Sequence, residues 1–169
     1  MKARRTLVLD TTAFLAALPL MIYTARLVAP PRVIEEVRDR ESRERLEVAT
    51  LVERVEVVEP RERYRWRVKR VAVKLGLHTS LSDTDIDVAA LALQLREEGG
   101  GEVTVVTDDY ALQNLLAKLG VEYMPLRTRG IREAREYILV CPVCGYVSKR
   151  YGERICPRCG VPLVKRPRR

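Results

Sequence analysis

Four acidic residues stand where chemistry would need them: Asp10, Glu36, Asp85 and Asp109. Asp10 closes the apolar run Leu7-Val8-Leu9, Asp85 follows Ser82 by three residues, and Asp109 comes soon after the β-forming run Val103 to Val106. His78 is the only histidine, which excludes a nuclease running on paired histidines, a finger of two Cys and two His, and a zinc enzyme with three His ligands. Acid-base or metal chemistry must come from carboxylates. Carboxylates hydrolyse nucleic acid with a divalent cation, which orients water, lowers its pKa and offsets the charge building at phosphorus. Four carboxylates converging without a cation would repel and raise one another's pKa, so the set itself predicts Mg²⁺ or Mn²⁺.

Each acid also has a plain structural role to weigh. Asp10 could cap the helix that follows it, and Asp85 could be the acidic half of a capping box opened by Ser82. On the helix after Pro31, the apolar stripe Val33, Ile34, Val37 leaves Glu36 about 105° from its centre and Glu35 about 155°. Glu36 therefore sits at the rim of the buried face and Glu35 points to solvent. Asp83 and Asp87 are expected to be solvated or to support the site, and only one of Asp108 and Asp109 should face a metal. Two rival chemistries fail on spacing. A haloacid-dehalogenase-type phosphatase needs a second Asp two residues after the first, where this chain has Thr12, and a phospho-acceptor receiver needs an acidic pair where Asp10 stands alone.

Cys141-Pro-Val-Cys144-Gly and Cys156-Pro-Arg-Cys159-Gly form two CxxC knuckles separated by 11 residues, the four-thiolate spacing of a zinc ribbon. Each turn places two sulfurs on one face, and the glycine allows the tight backbone behind them. About 30 residues cannot bury an adequate core, so the metal supplies folding energy. Two disulfides need an oxidising compartment to which nothing here points, and an iron site fits the basic surroundings poorly. With no open coordination position, one zinc held by Cys141, Cys144, Cys156 and Cys159 is structural.

The elements that must position these groups follow from periodicity. A strand ending at Asp10 passes into a helix carrying Phe14, Leu15 and Leu18. After Pro30-Pro31 come apolar stripes at Val33, Ile34, Val37 and at Leu46, Leu51, Val52, then a strand at Val55 to Val58. Arg61 to Leu75 carries Tyr64, Val68, Val71, Ala72 and Leu75 at helical spacing, with Arg and Lys on its other face. From Ser82 a helix apolar almost all round runs to Arg96, ended by Gly99-Gly100-Gly101. Val103 to Val106 suits a central parallel strand, Tyr110 to Leu119 a helix capped by Gly120, and Val121 to Met124 a last strand. This alternation predicts an α/β fold, a doubly wound parallel sheet whose ligands collect at the C-terminal strand ends, where Asp10 and Asp109 lie. The expected division is a nuclease-like domain over 1–124, a linker over 125–136, and the cysteine module with a basic tail over 137–169.

The 169 residues suit one or two small domains, and the charge is placed unevenly. Residues 125–169 hold 12 basic groups against three acidic ones, whereas the rest is near neutral. Such density binds a polyanion through counterion release, or else simply solubilises the surface. The apolar stretch Ala13 to Tyr23 is about half of a membrane span, which needs roughly 20 residues, and it contains Pro19. A cytoplasmic location and no membrane partner are therefore expected.

The strings Val8-Leu9-Asp10-Thr11-Thr12, Pro31 to Val37, Leu81-Ser82-Asp83-Thr84-Asp85 and Val106-Thr107-Asp108-Asp109 resemble PIN-domain ribonucleases. Joined to Asp108-Asp109-Tyr110-Ala111-Leu112-Gln113-Asn114, to Tyr137-Ile138-Leu139-Val140-Cys141 and to the ribbon, the pattern is similar across the chain to the Nob-one family of ribosome-biogenesis endonucleases, in its compact archaeal-type form. The resemblance implies a PIN-like fold and a metal-dependent endoribonuclease that matures the 3′ end of small-subunit ribosomal RNA precursor. Water would attack the phosphate in line, leaving a 5′-phosphate and a 3′-hydroxyl. Asp10, Glu36, Asp85 and Asp109 fall on the family's catalytic acids, with Asp10, Asp85 and Asp109 on Mg²⁺ or Mn²⁺; Asp108 and Asp87 match less defined positions. Arg65, Lys69, Lys149, Arg150 and Arg158, from the basic helix and the ribbon, would bind RNA, with Trp66 available for stacking or ordinary packing. The implied partners are RNA, the small ribosomal subunit and an assembly-factor protein. His78 is expected at the surface without a role. The competing readings are a toxin-like PIN ribonuclease on other RNAs and a non-catalytic RNA-binding assembly factor.

Overall fold

The structure is a computed structural model that describes residues 5–39, 54–99 and 101–168. Five short runs of β-formers, β1 (Thr6–Leu9), β2 (Arg26–Ala29), β3 (Glu56–Val57), β4 (Val103–Val106) and β5 (Glu122–Met124), pair in the order β3-β2-β1-β4-β5. Every pairing is parallel. Successive strand residues face opposite sides of a sheet, so burial at all four positions of both β1 and β4 means that both faces are covered. The chain winds outward from β1 to β3, returns to β4 on the other side of β1, and ends at β5. The C-terminal ends of β1 and β4 are thus the point where the winding reverses, the crevice in which such sheets collect ligands. Leu9 pairs with Val106, which sets Asp10 beside Thr107 at that edge.

Six described helices cover the sheet: α1 (Thr11–Leu15), α2 (Leu18–Met21), α3 (Pro31–Asp39), α4 (Glu62–Lys74), α5 (Asp83–Gly99) and α6 (Tyr110–Leu119). The first is shorter than its apolar pattern predicts, because Pro19 cannot donate to Leu15 and the chain breaks between α1 and α2. The α4 stripe is buried at Tyr64, Val68 and Ala72, and α5 is buried at ten positions from Thr84 to Gln94. Gln94 accepts the Arg61 N–H at 2.8 Å, supplying the cap that α4 does not provide for itself. Strand β2 is additional to the sequence reading: four residues ahead of Pro30-Pro31 carry no alternation to betray them. The stripe of Leu46, Leu51 and Val52 lies outside the described residues.

Asp87, expected among solvated or supporting acids, is buried and ion-paired with Arg65 at 2.6 Å and Arg32 at 3.0 Å. This cluster ties α3, α4 and α5 together. It also occupies Arg65, which further meets Glu59 and Glu62 and keeps little exposure. Loss of one partner would strand a buried charge, so the cluster fixes how the three helices meet.

The segment expected as a linker is strapped to the sheet domain. Asp108 accepts the backbone N–H groups of Leu126, Arg127 and Thr128, Gln113 accepts that of Ile131, and Asn114 exchanges two hydrogen bonds with the Arg135 backbone. Beyond it, β6 (Tyr137–Val140) and β7 (Val164–Pro167) pair antiparallel around the cysteine knuckles. The Tyr137 N–H donates to the Leu75 carbonyl at 2.9 Å, at the C-terminal end of α4. His78 is corrected here: it is buried under this module, its Nε2 at 3.2 Å from the Ser148 hydroxyl, and burial lowers its pKa. An imidazole is apolar enough to be covered when one nitrogen is met.

Gly76 makes this close docking possible. Its φ is +63°, and a Cβ there would press into the Tyr137 carbonyl group and lie 2.9 Å from the Ile138 nitrogen. Gly76→Ala is therefore expected to destabilise the chain by about 2 kcal/mol or more, through left-handed strain plus the clash. Chemical denaturation read against Gly99→Ala, whose Cβ meets nothing within 4 Å, checks this, the control losing nothing measurable.

Candidate active site and metal centres

Asp10 lies at the end of β1, only 6% exposed. Its Oδ1 accepts the Thr11 N–H and its Oδ2 accepts the Thr107 hydroxyl, each at 2.7 Å. It caps α1, as its plain structural reading expects, yet one cap bond does not account for burying a full charge. From α3, Glu36 reaches the same edge: the hydroxyls of Thr84 and Thr11 donate to its two oxygens at 2.6 and 2.8 Å. Asp85 closes the capping box predicted for it, accepting the Ser82 N–H and hydroxyl at 2.7 and 2.8 Å while its own N–H donates to Ser82 Oγ. Asp109 caps α6 by accepting the Leu112 N–H at 2.8 Å.

All four acids are thus aimed by neutral donors, and among the described residues none is ion-paired. Their charges feel one another. Burial is the first cause that raises the Asp10 pKa; the Thr107 and Thr11 donors pull it back, and the charges of Asp109 and Glu36 push it up again. Burial likewise lifts Asp85 to about 6, against the Ser82 donors and with help from Asp10 and Asp109. Asp108 behaves differently: burial works against its charge, but the N–H donors of residues 126–128 prevail and lower its pKa. Of the adjacent pair, Asp109 faces the acidic edge and Asp108 holds a loop.

One buried carboxylate, Asp10, beside the partly covered Asp85 and the exposed Glu36 and Asp109, all with free lone pairs, is a donor set for a hard divalent cation. Near them, the Thr12 hydroxyl is buried without a hydrogen-bond partner. The acids are more widely spaced than the cysteines, whose four sulfurs form the one group of three or more ligand residues lying within 4.8 Å of one another among the described residues. Wider spacing suits Mg²⁺ or Mn²⁺, because Mg²⁺ keeps several waters and takes only one or two carboxylates directly.

At the second centre, Cys141 and Cys156 are buried and Cys144 and Cys159 exposed. Burial opposes ionisation of Cys141, but the N–H groups of Cys144 and Val143 and the neighbouring thiols draw it down to about 7. The same crowding, led by Cys144, pushes Cys159 up to about 12. Four thiols this close cannot all ionise alone, and a divalent metal such as zinc held by Cys141, Cys144, Cys156 and Cys159 would remove that conflict.

The PIN domain of ribonuclease matches residues 7–95 of this chain. The chain belongs to the PIN-domain ribonucleases. It is similar over nearly its whole length to Endoribonuclease Nob1 of Pyrococcus abyssi, 39% identical over 164 residues that make up 96% of this chain and 94% of the relative. Endoribonuclease Nob1 of Archaeoglobus fulgidus is 37% identical over 140 residues, 83% of this chain and 80% of the relative. Ribonuclease VapC3 of Aeropyrum pernix is 47% identical over 131 residues, 75% of this chain and 90% of the relative. This PIN ribonuclease is an endoribonuclease, and the family match spans β1, α3 and α5, which carry or precede three of the four acids. Among its described residues no helix is long and apolar enough to cross a membrane.

Sequence reasoning foresaw the acidic edge but not its hydroxyl collar. Thr11, Thr84 and Thr107 aim Glu36 and Asp10, and the Thr next to Asp10, the Thr next to Asp85 and the Thr two residues before Asp109 were the signal available. Of the basic residues expected at RNA, Arg65 is committed inside the fold by Asp87. Lys69 stands 3.7 Å from Asp83 and over the Tyr151 ring, Arg158 lies over the Tyr146 ring, and Lys149 and Arg150 are exposed.

The PIN site holds a carboxylate that burial, and less so its acidic neighbours, makes hard to ionise, which gives a pH test. Folded and metal-free, Asp85 keeps its proton up to about pH 6, against 3.8 for its ordinary value. A raised carboxylate pKa favours the folded state as pH falls through that window and costs stability above it. Asp85→Asn is therefore expected to melt higher than the unsubstituted chain at pH 7.5 without divalent ions. Thermal melts should show that advantage reduced to roughly half at pH 5 and gone below about pH 3.8 or with saturating Mn²⁺.

Proposed function

We propose that the chain matures the 3′ end of small-subunit ribosomal RNA precursor by divalent-metal-dependent endonucleolytic cleavage. The observation that carries this reading is the convergence of Asp10, Glu36, Asp85 and Asp109 at the winding reversal of the sheet, in a chain matched nearly end to end by relatives named Endoribonuclease Nob1. We assign Asp10, Asp85 and Asp109 to Mg²⁺ or Mn²⁺ and Glu36 to the attacking water. A cation held there supplies Lewis-acid stabilisation of the charge that develops at phosphorus. Glu36, with each oxygen already accepting one hydroxyl, keeps lone pairs fixed in direction to orient that water. Asp109, exposed at the end of the sheet, is placed where the RNA backbone would pass.

We propose the division into a nuclease domain over 1–124, a connecting strap over 125–136, and a zinc ribbon over 137–169 with zinc on its four cysteines. RNA is the proposed partner, within the small ribosomal subunit and with an assembly-factor protein, in the cytoplasm. A cleft of about 770 Å³ between α4 and the C-terminal module supports RNA binding: Lys69, Arg70, Lys149 and Arg150 line it together with Trp66, which is 64% exposed. Cations that track a backbone beside an aromatic that stacks on bases are the surface single-stranded RNA needs.

The 47% identity to Ribonuclease VapC3 favours a second reading, a toxin-like ribonuclease acting on other RNAs. One assay separates them. End-labelled RNA spanning the 3′ end of small-subunit ribosomal RNA should be cut once, at the mature end, with Mn²⁺ or Mg²⁺. Asp10→Asn should lose about a hundredfold or more in rate while still binding RNA, since several kcal/mol of transition-state stabilisation go with the cation. Cutting at many sites, or in unrelated transcripts equally well, would favour the second reading, and binding without any cut would leave a non-catalytic assembly factor.

A further inference from the structure

A second cleft, of about 780 Å³, opens between α6, the strap and β7, and Trp66 is not among the residues that line it. Its position is fixed by chain connectivity. Tyr110 lines it and directly follows Asp109, and Ser80 lines it two residues before Ser82, the residue that holds Asp85. Lys165 of β7 enters from the cysteine module, its ammonium donating to Ser80 Oγ at 3.0 Å and lying 4.3 Å over the Tyr137 ring. Burial lowers the Lys165 pKa, and the charge of Asp109 counters this.

The walls are built rather than incidental. Gln113 and Asn114 fix the strap at Ile131 and Arg135, so the side that carries Arg132 is held against α6. Arg132, Arg135 and Lys165 form no ion pair among the described residues, although Glu133 shares the lining. Tyr110 is 53% exposed, a ring kept on the surface beside a row of acids. Unpaired cations, an open aromatic face and a volume fit for a small ligand form a site for an anion that carries a flat ring.

We infer that this cleft is a nucleotide subsite of the nuclease, in which the base flanking the scissile phosphate stacks on Tyr110 and the adjoining backbone phosphate meets Lys165. The inference rests on the acidic edge being the cleavage site. It gives the cysteine module a part in presenting RNA at the chemistry itself, since the cation comes from β7. Arg132 extends the path of the strand away from the acids.

The test is equilibrium binding of a fluorescein-labelled single-stranded RNA to the full, zinc-loaded chain in Ca²⁺, read by anisotropy across a salt series, with cleavage in Mn²⁺ measured in parallel. Tyr110→Ala is expected to weaken binding roughly tenfold and Tyr110→Phe to restore it, as a stacking contact requires. Lys165→Gln should weaken binding and reduce the slope of log affinity against log salt by about 0.7, one phosphate contact on a single strand. Ser80→Ala, which removes only the ammonium's partner within the protein, should keep the slope of the unsubstituted chain; a role for Lys165 confined to docking the module would give Ser80→Ala and Lys165→Gln the same phenotype. Tyr110→Ala binding like the unsubstituted chain, or an unchanged slope in Lys165→Gln, would overturn the subsite. If the unsubstituted chain cuts no RNA while both variants weaken binding as expected, cleavage at the acidic edge fails, and with it the link to a scissile phosphate, while the cleft remains a nucleotide-binding site.

Discussion

A carboxylate buried beside other carboxylates is the constraint around which this chain is organised. Removing Asp10 from water costs free energy that a nearby cation would ordinarily offset, and the fold supplies hydroxyl and N–H donors in its place. The contrast with the acids outside the site is instructive. Asp87 is equally buried but meets two guanidinium groups, and Asp108 accepts three backbone N–H groups. Acids that hold the fold together are neutralised or saturated. Those at the winding reversal are aimed by neutral donors without an ion-pair partner among the described residues, an arrangement that an external cation would complete.

That arrangement was legible in sequence only where local spacing determines geometry. Asp10 and Asp109 could be placed because an apolar run read as a strand puts the residues just after it at the sheet edge, and Asp85 because Ser82 three residues before it caps a helix. The angular argument for Glu36 also holds: it is exposed at the rim and bends inward to Thr84 and Thr11, while Glu35 stays in solvent. The missed features depend on partners far along the chain. Strand β2 exists because β1 and β3 flank it, since Arg-Leu-Val-Ala carries no period of its own. Arg65 reads as part of a solvated basic face until Asp87, 22 residues away, is known to lie beneath it. His78 reads as a surface residue until a module some seventy residues later covers it.

The docking of that module shows how a segment without a core of its own can still be placed with accuracy. Among its described residues, Leu139, Cys141, Ser148 and Cys156 are buried, too few to fold by apolar burial alone. Its order therefore comes from two outside sources, the four thiolates converging on one point and the contact with the end of α4 through Gly76, Tyr137 and His78. These sources are coupled, because β6 enters the first knuckle at Cys141 and β7 leaves just beyond the second. Lys165 meets Ser80 and Ser148 meets His78, so both bear on the short segment that follows α4. Whatever holds the sulfurs together consequently also holds Lys165 at the acidic edge and the basic surface against α4. If the sulfurs hold a metal as proposed, its loss would be felt first in RNA binding, and in chemistry only through a strand no longer aligned with the acids.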